Sequence, residues 1–349
     1  MSFAETTELA PDYHISRVIR GGWQLAGGHG PVDPHEAEED LLAYFQAGIT
    51  SLDCADIYTG VEELIGNFRL VLSRRLGADA LARLKVHTKF VPDLDILPRI
   101  DKAYVTGIID RSLQRLKAER LDLVQFHWWD YAIPGCVETA LWLEELRAEG
   151  KIDLIGGTNF DRDHMADLTA AGVPLRCMQV QYSLLDDRPA RALADEAQEL
   201  GVGLLCYGTL AGGFLSERWL DRPEPVGAFE NRSLIKYKLI IDDFGGWSLF
   251  QTLLRVLAEV ANRHRVSLAS VASRWVLDQP SVSAVIVGAR TRDHLPATLE
   301  IGRLVLTDQD RAEIAAVLAH RTGPEGEVYD LERDRSGRHG AIMRYNLNA

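Results

Sequence analysis

The sequence predicts a closed (β/α)8 barrel, the eight-stranded parallel TIM architecture. Three observations carry that expectation. Short apolar runs alternate with helical patterns along most of the 349 residues. The ends of those runs recur at intervals of roughly 23 to 38 residues up to the seventh, which is the length one strand and one helix need. The rival doubly wound sheet calls for GxGxxG between its first strand and helix, and no such run is present.

The eight strands are read in order as RVIRGGW (17–23), TSLDCA (50–55), KVHTKF (85–90), LDLVQFH (121–127), DLIGGTN (153–159), CMQVQY (177–182), GLLCYG (203–208) and SAVIVGA (283–289). Helical spacing of apolar residues marks 35–48, 102–119 and 137–151 between them. The long interval before the eighth strand holds 216–247, with prolines, glycines and mixed charge, and reads as a loop insertion on the catalytic face. Helices are expected near 248–264, 267–278 and 307–320. The domain plan is an N-terminal extension (1–16), one barrel domain (17–320) and a C-terminal tail (321–349). The tail is read as a lid, a subunit contact or a mobile segment.

Composition narrows the class. The formal net charge of −13 disfavours a nucleic-acid partner. No run of about 18 apolar residues offers a membrane span, and the first residues lack a basic start and an apolar stretch. Cys54, Cys136, Cys177 and Cys206 form no CxxC pair. They predict a reducing cytoplasm, no disulfide and no metal site. The partner expected is a small molecule, and a homo-oligomer is compatible with the sequence.

In such a barrel the site lies at the C-terminal ends of the strands. There the second strand ends in Asp53, the third in Lys89 and the fourth in His127, with Tyr58 five residues after Asp53. Thr158, Asn159, Gln181 and Tyr207 end the next three. Polar groups converging on one rim are costly unless they serve one another. Together the first four make a proton-transfer device. A free tyrosine has a pKa of about 10. An ammonium about 4 Å away, at an effective dielectric of about 20, favours the phenolate by about 4 kcal/mol before desolvation opposes it. Asp53 would hold the ammonium, and His127 would orient the reacting oxygen. One layer lower, alternation turns Ser51, His87, Gln125 and Gln179 inward. They form either a hydrogen-bonded support for the acid–base residues or a self-satisfied polar core.

The stretches GITSLDCADIYTGVEELIG (48–66), HTKF (87–90), LDLVQFH (121–127), GGTNF (156–160), QVQYSLL (179–185), LLCYGTLAGGFLS (204–216) and VIVGARTRDHL (285–295) resemble the motifs of the aldo-keto reductases, in order on successive strands. The resemblance runs from about residue 17 to 320. It implies hydride transfer between NADP(H), or alternatively NAD(H), and an aldehyde, ketone or alcohol. Tyr58 would supply the proton, Lys89 tune it, Asp53 support Lys89, and His127 orient the carbonyl. Tyr207 would stack on the nicotinamide. Asn159 and Gln181 would bond its carboxamide, with Thr158 and Asp53 beside them. Gly22 and Trp23 would line the cofactor side of the first loop. Gly208, Leu210 and Gly213 would wrap the pyrophosphate, and Gly288, Ala289, Arg290, Arg292 and His294 would hold the adenosine phosphate. Ala297 and Thr298 stand where many members have Glu-Asn, which alters the adenine contacts. Trp23, Tyr58, His127, Trp128 and Trp129 would face the substrate, with one of the two adjacent tryptophans reaching it. The alternatives are a non-catalytic nicotinamide-binding regulatory subunit and a barrel lyase or isomerase without nicotinamide.

Overall fold

The computed structural model describes residues 4–27, 30–227 and 229–348. The chain opens with an antiparallel hairpin, Thr6–Ala10 (β1) and Tyr13–Ser16 (β2). Eight further strands follow: Val18–Gly21 (β3), Ser51–Asp53 (β4), Lys85–Phe90 (β5), Leu121–Phe126 (β6), Ile152–Thr158 (β7), Leu175–Gln181 (β8), Gly203–Tyr207 (β9) and Val282–Gly288 (β10). They pair in parallel in chain order and close, β10 lying against both β9 and β3. The eight-stranded barrel expected from the spacing of apolar runs is the architecture observed.

Helices cover the outside: Pro34–Gln46 (α1), Val61–Leu76 (α2), Ala78–Arg83 (α3), Lys102–Leu116 (α4), Cys136–Ala148 (α5), Arg162–Ala170 (α6) and Ala192–Leu200 (α7). Their starts are written in the sequence. Asp33, just before Pro34, accepts from the backbone N–H of His35 and Glu36, and Asp101 from that of Tyr104. Their apolar stripes, such as Leu41 and Phe45 of α1 and Ile65, Phe68 and Leu72 of α2, pack on the outward side chains of the strands.

The segment after β9 departs from expectation. Its second half is helix Arg232–Phe244 (α8), not loop. Asn231 caps it by accepting from Leu234 N at 3.0 Å. Leu234, Tyr237, Ile241 and Phe244 form a buried stripe at helical spacing. The prolines and glycines lie before and after that stripe and masked it. Helices Gly246–His264 (α9), Leu268–Leu277 (α10), Leu295–Arg303 (α11) and Asp308–Leu318 (α12) follow. A second apolar cluster, with Phe214, Phe244, Phe250 and Leu257, binds α8, α9 and α12 together.

Two terminal segments close the barrel's ends. Below, the hairpin sets Leu9, Tyr13 and Ile15 against the interior residues Ile19, Leu123, Leu205 and Ala284. Ser16 N and Ser51 Oγ bond at 3.0 Å where it meets the barrel. Above, the chain after α12 returns across the strands' C-terminal ends through a single helical turn, Asp330–Arg333 (α13). Leu94 N donates to Tyr345 O at 2.9 Å, and Asp93 Oδ1 accepts from Leu347 N at 2.6 Å. Among the described residues no helix is long and apolar enough to cross a membrane.

Candidate active site

The parallel register brings the ends of β4, β5 and β6 side by side, and with them Asp53, Lys89 and His127. Asp53 and Lys89 are both nearly excluded from solvent. Lys89 Nζ donates to Asp53 Oδ1 at 2.9 Å, Asp53 Oδ2 at 2.8 Å and Cys54 O at 2.7 Å. The same ammonium lies 4.9 Å from the centre of the Tyr58 ring. Burial, the largest single influence, works against the charged amine, but the charge and hydrogen bonds of Asp53 together with neighbouring Tyr58 more than offset it and hold the Lys89 pKa above its usual value.

The phenol behaves differently from the simple pairwise argument. Burial raises the Tyr58 pKa above its ordinary value, and the Lys89 charge only partly offsets it. Desolvation is the larger effect because the ring sits in the mouth with Trp23 packed edge-on, centroids 5.1 Å apart. Tyr58 is therefore a neutral phenol at neutral pH, holding its proton next to a fixed cation.

His127 is 2% exposed. Its Nδ1 lies 2.9 Å from Thr158 O. A carbonyl only accepts, so Nδ1 carries the hydrogen and, in the neutral ring, Nε2 is a bare acceptor. Burial, with the positive charge of Arg333 nearby, pushes the imidazole pKa down to about 3. Nε2 is buried and takes no partner within the described chain.

The two tryptophans divide. Trp129 meets the His127 ring edge-on at 4.3 Å and donates from Nε1 to Pro92 O at 2.8 Å. Trp128 does not face the mouth. It is fully buried beside Phe126, and its Nε1 donates to Asp130 O and Ile133 O. Strand alternation explains the split: His127 and Trp129 share a side, and Trp128 turns to the helices.

The inner polar layer also divides. Gln179 Nε2 donates to Asp53 Oδ1 at 2.6 Å and to Gln125 Oε1 at 3.0 Å, and Gln125 Nε2 reaches Asp53 Oδ1 at 3.3 Å. These two glutamines hold the carboxylate from below. Ser51 instead binds the hairpin, and neither nitrogen of His87 has a partner within the described chain.

The residues assigned to the cofactor by resemblance lie at or just after the C-terminal ends of β3, β4 and β7 to β10. Tyr207 Oη donates to Asn159 Oδ1 at 2.9 Å, which leaves the Asn159 Nδ2 hydrogens for a ligand. Gln181 Nε2 donates to Asp186 Oδ2 at 2.6 Å, while Gln181 Oε1 is buried with no partner. A primary carboxamide, with an N–H₂ and a carbonyl oxygen, complements that pair. The Thr158 hydroxyl is turned to Gln179 O. Gly22 packs against the backbone of Asp53: a Cβ there would lie 2.7 Å from Asp53 O. Gly208 and Gly213 have positive φ, and Leu210 O accepts from Gly213 N at 2.9 Å, so this segment turns back on itself. At the end of β10, Gly288 and the buried Ala289 lead to Arg290, whose Nη2 donates to Pro31 O. Arg292 lies 3.7 Å from Asp40, and His294 opens α11.

The sequence profile of the Aldo/keto reductase family matches residues 17–319. The chain belongs to the aldo/keto reductase family. This aldo-keto reductase is 28% identical over 319 residues to aldo-keto reductase YhdN of Bacillus subtilis, covering 89% of this chain and 93% of that one. It is 24% identical over 325 residues to the NADH-specific methylglyoxal reductase of Escherichia coli, covering 86% and 93%. Among solved structures, the glycerol dehydrogenase AKR11B4 of Gluconobacter oxydans superposes with a TM-score of 0.76 at 23% identity, covering 92% and 97%. Membership brings oxidoreductase chemistry on carbonyl and alcohol groups.

Several residues of this reductase's mouth were not anticipated from the sequence. Asp186 and Arg188 follow β8, Lys236 comes from α8, and Tyr329, Glu332 and Arg333 come from the tail. Tyr329 stands over His127. Lys236 Nζ lies 5.6 Å from the centres of both the Tyr207 and Tyr329 rings. Burial lowers the Lys236 pKa, with Glu332 opposing it. The Asp-Asp-Arg run at 186–188, a few residues past the β8 strand, was an available signal.

Proposed function

We propose that this reductase reduces a small carbonyl compound, or oxidises the matching alcohol, with NADP(H), and that Tyr58 carries the proton. The carrying observation is the shared mouth: a neutral phenol, an ammonium tied to a carboxylate, and an imidazole with one bare nitrogen. Asn159, Gln181 and Tyr207 would hold the nicotinamide, which supplies the hydride when bound. Arg290 and Arg292 after β10 support a cofactor with a 2′-phosphate. One similar protein carries an NADH-specific name, so both cofactors belong in the assay.

In reduction, Tyr58 donates its proton to the nascent alkoxide, and Lys89 stabilises the phenolate left behind. In oxidation the phenolate takes the proton back. Asp53, held by Gln125 and Gln179, keeps the ammonium in place without being touched by substrate. Trp129 and Tyr329 exclude water around the reacting atoms.

His127 refines the substrate class. With Nδ1–H engaged by Thr158 O, Nε2 accepts a hydrogen bond and does not give one. It suits a substrate bearing a hydroxyl next to the reacting carbon. Glycerol, named for one structurally similar protein, carries such a hydroxyl, whereas methylglyoxal, named for another relative, carries a second carbonyl in its place.

The deciding experiment is Tyr58→Phe, assayed with NADPH and NADH over a panel of aldehydes, ketones and their α-hydroxy analogues. Turnover is expected to fall about 10²- to 10⁴-fold with cofactor affinity unchanged. Undiminished turnover would overturn the proton assignment. Tight cofactor binding by the wild type with no turnover over the panel would favour a regulatory subunit instead.

A further inference from the structure

The tail lies beyond the residues that the family profile matches, yet it enters the mouth. Glu332 is fully buried and ion-paired with Arg188 at 3.3 Å and Lys236 at 3.5 Å. Arg188, itself 2% exposed, forks onto Asp186, Nε to Oδ1 at 2.9 Å and Nη2 to Oδ2 at 2.8 Å. Asp186 Oδ2 also accepts from Gln181 Nε2. An unbroken polar line thus runs from the tail to the amide of Gln181: Glu332, Arg188, Asp186, Gln181.

The next residue holds the backbone of Asn159. Arg333 Nη2 donates to Asn159 O at 2.7 Å and to Trp128 O at 3.2 Å, with its guanidinium 4.1 Å from the centre of the Tyr131 ring. Asn159 needs such a hold. Its φ is +61°, a left-handed conformation that costs a side-chain-bearing residue energy. Arg333 fixes its carbonyl, Gln179 O takes its N–H at 2.8 Å, and Tyr207 fixes its side chain.

We propose that Glu332 and Arg333 are positioning residues that set the two carboxamide-binding side chains, so that the nicotinamide pocket is complete only with the tail docked. This rests on the reading that the carboxamide lies between Asn159 and Gln181.

The orientation of Gln181 is the functional core of the argument. Asp186 takes its N–H₂, which forces the carbonyl end to be the free one, and Oε1 is the buried atom without a partner. A rotated amide would present donors where the carboxamide N–H₂ needs an acceptor. Asp186 keeps its place because Arg188 is forked onto it, and Arg188 is balanced from the far side by Glu332. Two cations, Arg188 and Lys236, face two carboxylates, Asp186 and Glu332. Removal of Glu332 leaves a buried positive excess that pulls on Asp186 and frees the amide. A tail that merely covered the opening would need no such line of bonds.

The test measures cofactor binding, not turnover. On the full-length wild type, Glu332→Gln and Arg333→Lys, the affinity of NADPH is compared with that of 2′-phospho-ADP-ribose, which lacks the nicotinamide. NADH and ADP-ribose serve as a second pair, and the pair the wild type binds more tightly is used. Binding is read by quenching of tryptophan fluorescence, and the thermal midpoint of each variant is recorded alongside. Each variant is expected to weaken the dinucleotide about tenfold and leave the nicotinamide-free fragment unchanged. Equal weakening of both ligands, or weakening of neither, would overturn the proposal. Should Glu332→Gln fail to fold, Arg333→Lys decides, since it keeps the charge and leaves the Arg188 cluster untouched. A wild type that binds dinucleotide no more tightly than fragment would overturn the carboxamide reading itself.

Discussion

Tyr329 stands edge-on to His127, ring centroids 5.6 Å apart and planes at 85°. Its backbone has φ +68°, a conformation in which glycine is relaxed and tyrosine is not. The side chain therefore roofs His127 at some cost to the backbone. Tyr329→Gly would remove the roof and relieve the strain together. Its kcat/KM for bulky aryl aldehydes is expected to rise about tenfold relative to small ones. The ratio of kcat/KM values across a size series measures it; an unchanged ratio would mean that Tyr329 does not bound the pocket.

Lys89 acts on Tyr58 through charge. Removing that charge in Lys89→Met leaves burial unopposed, so the phenol pKa rises further. Under the proposed mechanism, alcohol oxidation requires the phenolate. Its pH profile is therefore expected to begin at higher pH, by about one unit or more, with slower turnover at neutrality. A profile that keeps its onset while losing only amplitude would assign Lys89 a purely structural part.

Acid stability should report the buried histidines. Burial lowers the His87 pKa from 6.5 to about 4. Between those values the unfolded chain binds a proton that the folded one refuses, so stability falls as pH drops from 6.5 toward 4. His87 accounts for up to about 3 kcal/mol of that loss. Urea unfolding of His87→Leu at pH 7 and pH 4.5 should show a smaller difference than the wild type. The remaining slope belongs partly to His127, whose pKa lies lower still, at about 3.

Gly22 is a packing requirement rather than a hinge. A Cβ there would sit 2.7 Å from Asp53 O and 2.9 Å from Val61 Cγ1. The backbone oxygen belongs to the residue that holds Lys89, so it yields only by moving the site. Gly22→Ala is expected to cost about 1–3 kcal/mol of stability. It should also lower kcat with little change in KM. Denaturant titration alongside steady-state kinetics separates the two effects.

Much of this was legible in the sequence. Alternation along β4 and β5, continued one residue past β6, puts Asp53, Lys89 and His127 on one rim, because a strand's period is fixed at two. The same rule distinguishes Trp128 from Trp129 once the register is known. Other features were hidden for physical reasons. Helix α8 was obscured by flanking prolines and glycines. The Tyr58 pKa depends on how much water the mouth excludes, and Trp23 contributes to that from another loop. Ser51 and His87 looked like companions of Gln125 and Gln179. Only the hairpin's position shows that Ser51 faces it. Glu332 and Arg333 sit in a polar stretch with no periodicity, and their partners Arg188 and Asn159 lie more than a hundred positions away. Long-range pairing of that kind leaves no local trace.

Tyr13 lies stacked under His87, centroids 6.3 Å apart, and stoppers the axis from beneath. The buried hairpin side chains Leu9, Tyr13 and Ile15 keep that end of the interior apolar. Attraction between opposite charges strengthens as the surrounding medium becomes less polarisable. The eleven residues of the Thr6–Ser16 hairpin thus help to set how firmly Asp53 and Lys89 hold each other.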